Sequence, residues 1–183
     1  YGIEVLNEPA TEKMFKSMTT RYLPRDPQKA AGSAAIAFEF LYDFYQRAYE
    51  ILRPILPNDK VIMFHDGFDL SKWHAFFTEN DFENVVLDTH QYLMVAEMEG
   101  AELNPTAYEK AMNKIGDQIA AVNEYVPVFV GEWTLFNSYT AGINTQGGIN
   151  PTQQEFKGAK HLDPAELAKV YQKLWQIQVT NWN

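Results

Sequence analysis

Two glutamates stand in settings that suit acid–base chemistry. Glu8 sits in Asn7-Glu8-Pro9 and Glu132 in Gly131-Glu132-Trp133, each just after a short apolar run. They are 132 − 8 = 124 residues apart. Two carboxylates facing one cavity can hydrolyse a glycosidic bond, one protonating the leaving oxygen while the other attacks the anomeric carbon. Either glutamate alone is more simply a helix cap or the partner of a surface cation. Two more polar clusters follow apolar runs, His65-Asp66-Gly67-Phe68 and Asp88-Thr89-His90-Gln91-Tyr92. Residues two apart in a strand share a face, so His90 and Tyr92 are expected to point the same way. The plain alternatives are a satisfied core histidine and a half-buried tyrosine.

These clusters need elements that bring them together. The runs Gly2–Leu6, Val61–Phe64, Asn84–Leu87 and Val126–Val130 are rich in β-branched or aromatic residues and read as buried strands. Between them the apolar spacing predicts helices, the first from about Ser33 to Arg53 and stopped by Pro54. A second runs from Thr106 to about Val122, and a third starts near Asp163-Pro164, a capping residue followed by a first-turn proline. Leu70 to Phe77 reads as a short, distorted helix. Such alternation calls for a parallel sheet with right-handed crossovers. An open doubly wound sheet and a closed eight-stranded barrel both satisfy it. No glycine-rich phosphate loop follows a strand, which removes support from the nucleotide-binding form. All four polar clusters fall at the C-terminal ends of strands, where parallel α/β folds place their sites.

Composition narrows the ligand. The 183 residues are 46% hydrophobic and 14% aromatic, enough for the core of one domain. No apolar run approaches the ~20 residues that span a bilayer, so no membrane partner is expected. The net charge is −9, and no Lys/Arg cluster offers a basic face, which argues against nucleic acid. There is no cysteine, hence no disulfide or thiolate chemistry. No His/Asp/Glu group has metal-ligand spacing, so neither a metal nor another cofactor is expected. Residues Thr134 to His161, with Gly142, Gly147, Gly148 and Pro151, read as a long and therefore functional or mobile loop.

The series GIEVLNEP, FHDGF, VVLDTHQY and FVGEW, in this order, resembles glycoside hydrolase family 5, above all its exo-β-1,3-glucanase branch. NEP alone is a weak motif, whereas the four-part series is specific, and the resemblance covers nearly the whole chain. It implies an α/β fold, the TIM (β/α)8 barrel. Residues 1–183 would form one partial domain of it, about the second half, from the fourth strand to the helix after the seventh. It also implies hydrolysis of a β-glucan or β-glucoside, β-1,3-linked and attacked from the chain end, with retention of configuration and no cofactor.

The family's roles carry over residue by residue. Glu8 matches the acid/base, Asn7 the asparagine that bonds the sugar 2-hydroxyl, and Glu132 the nucleophile. His90 and Tyr92 match the sixth-strand pair, whose tyrosine hydroxyl would help hold Glu132 ionised. His65 and Asp66 match the fifth-strand pair, for substrate contact or for structural hydrogen bonds. Phe68 and Trp133 are sugar platforms or core fillers, and Trp73 lies where the family often has a tryptophan near the entrance. His74 and His161 read as surface or packing residues.

The first three strands and the eighth are absent from the pattern. With them go an arginine, a histidine and a last-strand tryptophan that complete the family's sugar site. The chain begins at Tyr1 rather than Met, so it is expected to be cut from a longer one and inactive by itself. The missing part of its own barrel is the expected partner. A secreted or cell-surface location is expected. A carbohydrate-binding barrel without turnover and an inactive fragment remain as alternatives.

Overall fold

The computed structural model describes residues 1–21, 23–141 and 162–182. The elements run β1 (Gly2–Glu4), α1 (Glu12–Arg21), α2 (Pro27–Ala30), α3 (Phe38–Leu52), β2 (Val61–His65), a 3-10 turn (Leu70–Lys72) and α4 (His74–Thr78). They continue with β3 (Val85–Tyr92), α5 (Leu93–Met98), α6 (Pro105–Asn123), β4 (Val128–Thr134), α7 (Ser138–Ala141) and α8 (Pro164–Trp182). The strands form one sheet in the order β1-β2-β3-β4. β1 pairs with β2 and β2 with β3 in parallel, with Ile3 opposite Ile62, Phe64 opposite Leu87 and His65 opposite Asp88. Sequential order with intervening helices is that of successive units wound in one direction. A doubly wound sheet reverses its strand order, and no reversal occurs among these four.

The described residues fall into two compact units. The first comprises 1–16, 30–90 and 118–131, and the second 17–29, 91–117 and 132–183 as far as they are described. In the first unit, the register sorts the sheet into two faces. Ile62, Phe64, Val85 and Leu87 lie on one face, in a core with Leu41 and Tyr45 of α3 and Trp73, Phe76 and Phe77 around α4. Tyr45 stacks on Phe64 with ring centroids 4.5 Å apart, and its hydroxyl donates to the His65 carbonyl at 3.1 Å. Such ring pairs add about 0.5–1.5 kcal/mol beyond area burial. The opposite face carries Glu4, His65, Asp88 and His90, because side chains alternate across each strand. One face is therefore oil and the other ionisable.

The second unit has its own core. Leu93 and Ala96 of α5 pack with Tyr108 and Met112 of α6 and Leu174 and Ile177 of α8. A buried carboxylate ties its elements: Glu97 accepts from the Tyr108 hydroxyl at 2.7 Å and from the Ser138 amide at 2.8 Å. α8 starts where Asp163-Pro164 predicts. Asp163 Oδ1 accepts from the amides of Ala165 and Glu166 at 2.8 and 2.9 Å, which satisfies donors that a helix start leaves open.

Two strands run further along the chain than their apolar runs imply. β3 reaches Tyr92 instead of stopping at Leu87, and β4 reaches Thr134 instead of Val130. Backbone pairing continues past the point where side chains turn polar, because the ladder is made by main-chain groups. β1 is shorter than its run, ending at Glu4. α1 and α5 were not expected from the spacing. No described helix is long and apolar enough to cross a membrane. Residues 142–161 of the expected long loop lie outside the described residues, His161 among them.

Candidate active site

Glu8 follows β1 with φ of 46°, a left-handed conformation that costs a non-glycine residue about 1–3 kcal/mol. Its side chain is 37% exposed. His90, buried near the end of β3, brings Nδ1 to 2.8 Å from Glu8 Oε1, so the two groups share a proton. The other ring nitrogen, Nε2, lies 3.4 Å from Asp88 Oδ2. Asp88 is buried too, and its Oδ1 accepts from the Gly131 amide at 2.8 Å. A Cβ at residue 131 would collide with that carboxylate, so only glycine fits there. Asn7 is exposed beside Glu8.

The turn after β2 is built from its own polar groups. Gly67, at φ 63°, donates its amide to His65 Nδ1 at 3.0 Å. The Phe68 amide donates to Asp66 Oδ1 at 2.8 Å, and the Thr89 hydroxyl to Asp66 Oδ2 at 2.7 Å. His65 and Asp66 are buried without access to solvent. Burial pushes Asp66 up to about 7, against the pull of Thr89, the Phe68 amide and His90, and with Asp88 adding to the rise. Burial holds His65 down at about 3, with His90 adding to the effect. His65 Nδ1 lies 3.5 Å from Asp66 Oδ1, but this is no ion pair: a nitrogen that accepts from Gly67 belongs to a neutral ring. Of the two roles foreseen for His65 and Asp66, structural hydrogen bonding is the one this geometry serves. Phe68 is partly exposed and sets its ring edge-on to His65 at 5.0 Å.

Trp73 is placed differently from the expectation of a substrate-binding tryptophan near the entrance. It is fully buried, its indole N–H donates to the Asp66 carbonyl at 2.9 Å, and Tyr42, Tyr45 and Phe76 surround its rings. An indole that fills a core and closes a turn has no face left for a sugar. His74 packs edge-on against Tyr125 at 5.0 Å.

In the second unit the Tyr92 hydroxyl donates to the Glu132 carboxylate. Trp133, next along β4, is 39% exposed and meets Trp182 edge-on at 5.2 Å. A half-open indole suits a sugar ring, which stacks its C–H face on aromatic surface. The sequence reading assigned no role to Asp88, Thr89 or Glu4. Alternation could have flagged the first, since Asp88 shares a strand face with His90 and Tyr92. Glu4, Asp88 and His90 bring ligand-type atoms within 4.8 Å of one another, a grouping their spacing did not announce. Each His90 nitrogen faces a carboxylate, Nδ1 that of Glu8 and Nε2 that of Asp88.

No family model matches the chain. Curated relatives do. It is 31% identical over 133 residues to the probable glucan 1,3-beta-glucosidase A of Aspergillus clavatus, a stretch covering 68% of this chain and 30% of the relative. It is 28% identical over 134 residues to the protein of the same name from Aspergillus terreus, covering 68% of this chain and 31% of that one. The glucan 1,3-beta-glucosidase I/II of Saccharomyces cerevisiae is 41% identical over 56 residues, 30% of this chain and 12% of the relative. The chain thus spans about a third of the length of the Aspergillus relatives it matches.

Proposed function

We propose that this chain belongs to a retaining β-glycosidase that hydrolyses β-1,3-linked glucan from its end, with Glu8 as acid/base and Glu132 as nucleophile. The observation that carries the reading is a pairing along one strand. His90 and Tyr92, two apart on β3, each engage one of the two carboxylates, His90 with Glu8 and Tyr92 with Glu132. A glycosidase of this kind needs one carboxyl able to hold a proton and one held ionised. Proton sharing with an imidazole suits the first role, and a phenolic donor suits the second. The names of the relatives, glucan 1,3-beta-glucosidases, support a β-glucan substrate. The parallel order β1 to β4 is compatible with strands four to seven of a (β/α)8 barrel, whose remaining strands would lie outside this chain. Asn7, Phe68 and Trp133 are assigned to sugar contact. Secretion or display at the cell surface fits a polymeric glucan that cannot enter the cell.

The test uses the protein at its natural length. Glu132→Ala should abolish turnover of an aryl β-glucoside, and azide should restore it with an α-glycosyl azide as product. Glu8→Ala should spare substrates with activated leaving groups far more than poor ones, because the former need little protonation. A β-azide from Glu132→Ala would reverse the two roles. Sugar binding without any turnover would replace the hydrolase with a carbohydrate-binding protein.

A further inference from the structure

We propose that the outer flank of α3, together with the free edge of β1, seats a further strand–helix unit from residues of the natural-length protein outside this chain. The occupant is an amphipathic helix laid along Phe40, Phe44 and Ile51, with its strand paired in parallel to β1. The inference rests on the barrel reading above, which it extends to a named helix contact, but not on hydrolysis.

α3 has two apolar sides. At about 100° per residue, Leu41, Leu52, Tyr45, Tyr49 and Tyr42 share the side that meets the core. Phe40, Phe44 and Ile51 fall within an arc of about 40° on a second side. Phe40 and Ile51 are each 64% exposed, and Phe44 and Ile55, just past the helix end, are exposed too. Arg47 lies in the same arc, but its Nε donates to Asp43 Oδ1 at 3.0 Å, on the charged side with Glu39 and Glu50. One apolar stripe is enough to seat a helix on a sheet. Single apolar residues on a surface need no explanation, but three aligned on one flank suit a neighbouring helix.

The direction of the flank follows from Tyr42. It lies furthest round the core side from the stripe, and it stacks on Phe76 of α4 with ring centroids 5.0 Å apart. α4 follows β2, so the stripe looks the other way, past β1. β1 agrees with this. Ile3 stands opposite Ile62 in the parallel register, hence on the oil face that α3 covers, yet it is 41% exposed. Cover runs out at β1, an outer strand of the sheet among the described residues. Its far edge offers main-chain groups for a further ladder. A strand to extend that ladder and a helix to cover it make the same unit that the chain itself repeats. Residues to supply it are at hand in proteins of the relatives' length, since the matching stretch is only about a third of each Aspergillus relative.

The test uses the natural-length protein. Phe40, and in a second variant Ile51, is replaced by photo-reactive p-benzoylphenylalanine, and the irradiated protein is digested and read by mass spectrometry. Each position should cross-link to a peptide of the same molecule outside residues 1–183. A cross-link to a second molecule would make the flank an interface between copies and overturn the proposal. A cross-link within residues 1–183 overturns it as well, and so does the absence of any cross-link, which is what an open surface gives. Phe40→Ala and Ile51→Ala supply an independent readout. Alanine is the best helix former, so on an open surface the thermal midpoint should hold or rise slightly. Under a packed helix each substitution should lower it by about 5–10 °C. Midpoints that hold in both variants overturn the proposal. Turnover is read separately, on an aryl β-glucoside well below the midpoint, where F40A should match the wild type. If the cross-links fall as expected but the wild type hydrolyses nothing, the hydrolase reading fails and the seat stands. If the wild type hydrolyses and the cross-links go elsewhere, only the seat fails.

Discussion

Asp66 and His65 are neighbours whose titrations pull stability in opposite directions. Asp66 is raised from 3.8 to about 7 in the folded chain, so between those values the native state holds a proton that the unfolded state has lost. Its contribution is full below pH 3.8 and disappears as pH rises through 7. His65 is lowered from 6.5 to about 3, so in that interval the unfolded state holds the extra proton. Its contribution is full above 6.5 and disappears as pH falls through 3. From about pH 4 to 6.5 the two slopes cancel, and each alone spans on the order of 4 kcal/mol at about 1.4 kcal/mol per pH unit. Asp66→Asn should unmask His65, giving a stability that falls on acidification from pH 6.5. His65→Asn should unmask Asp66, giving a stability that falls as pH rises from about 4 to 7. Urea midpoints across pH measure both, and two equally flat profiles would show that neither group is held as its surroundings imply. Tyr92 is tested by rate instead. Tyr92→Phe removes only the donor to Glu132, and turnover should drop about 10–1000-fold if that bond tightens in the transition state. An unchanged rate would leave Tyr92 a packing residue.

α8 shows how a local signal becomes an element. Asp163 is exposed, yet its carboxylate holds two first-turn amides. Asp163→Ala should cost about 1 kcal/mol of stability, as loss of an N-cap commonly does, while Asp163→Asn should cost little. Thermal unfolding of the pair separates capping from general surface effects, and equal losses would deny the cap. Such starts and stops are legible in sequence, as were α3, α6, α8 and the four strands, because their apolar residues recur with the period of the element. α1 escaped notice because EKMFKSMTTR has only Met14, Phe15 and Met18 as large apolar residues, too few for a stripe. α5 escaped because six residues are less than two full turns. The candidate site was legible as residue types at strand ends, and Glu8, His90, Tyr92 and Glu132 follow from that. What spacing could not convey is which way a group is satisfied. The indole of Trp73 turned inward to the Asp66 carbonyl, and Asp88 became the link between His90 and Gly131. Such partners are brought together by pairing across strands, and local sequence holds no record of register.

Among the described residues β1 and β4 are the outer strands of the sheet, and they carry exposed apolar side chains, Ile3 at 41% and Phe129 at 53%. Open strand edges with apolar residues invite pairing, and a closed barrel removes them altogether. The proposed barrel would supply those neighbours from residues outside this chain, and with closure comes a definite spacing of the two carboxyl groups. A retaining enzyme must let one carboxylate reach the anomeric carbon while the other reaches the leaving oxygen, so no water fits between them. In the protein at its natural length the carboxyl groups of Glu8 and Glu132 should lie about 5–5.5 Å apart, whereas roughly 6.5–9.5 Å would admit a water and invert the sugar. The outcome is checked in solution by proton NMR of the first-formed product. Retention releases β-glucose, which turns into the equilibrium mixture only afterwards by mutarotation, while inversion releases α-glucose first. A 2-deoxy-2-fluoro-glucoside with a good leaving group should also stop the retaining enzyme with one sugar bound covalently. Mass spectrometry of the digested protein should find that sugar on the peptide containing Glu132. Early α-glucose would overturn the double displacement, and a label on any other carboxylate would overturn the assignment of Glu132 as the residue that performs it.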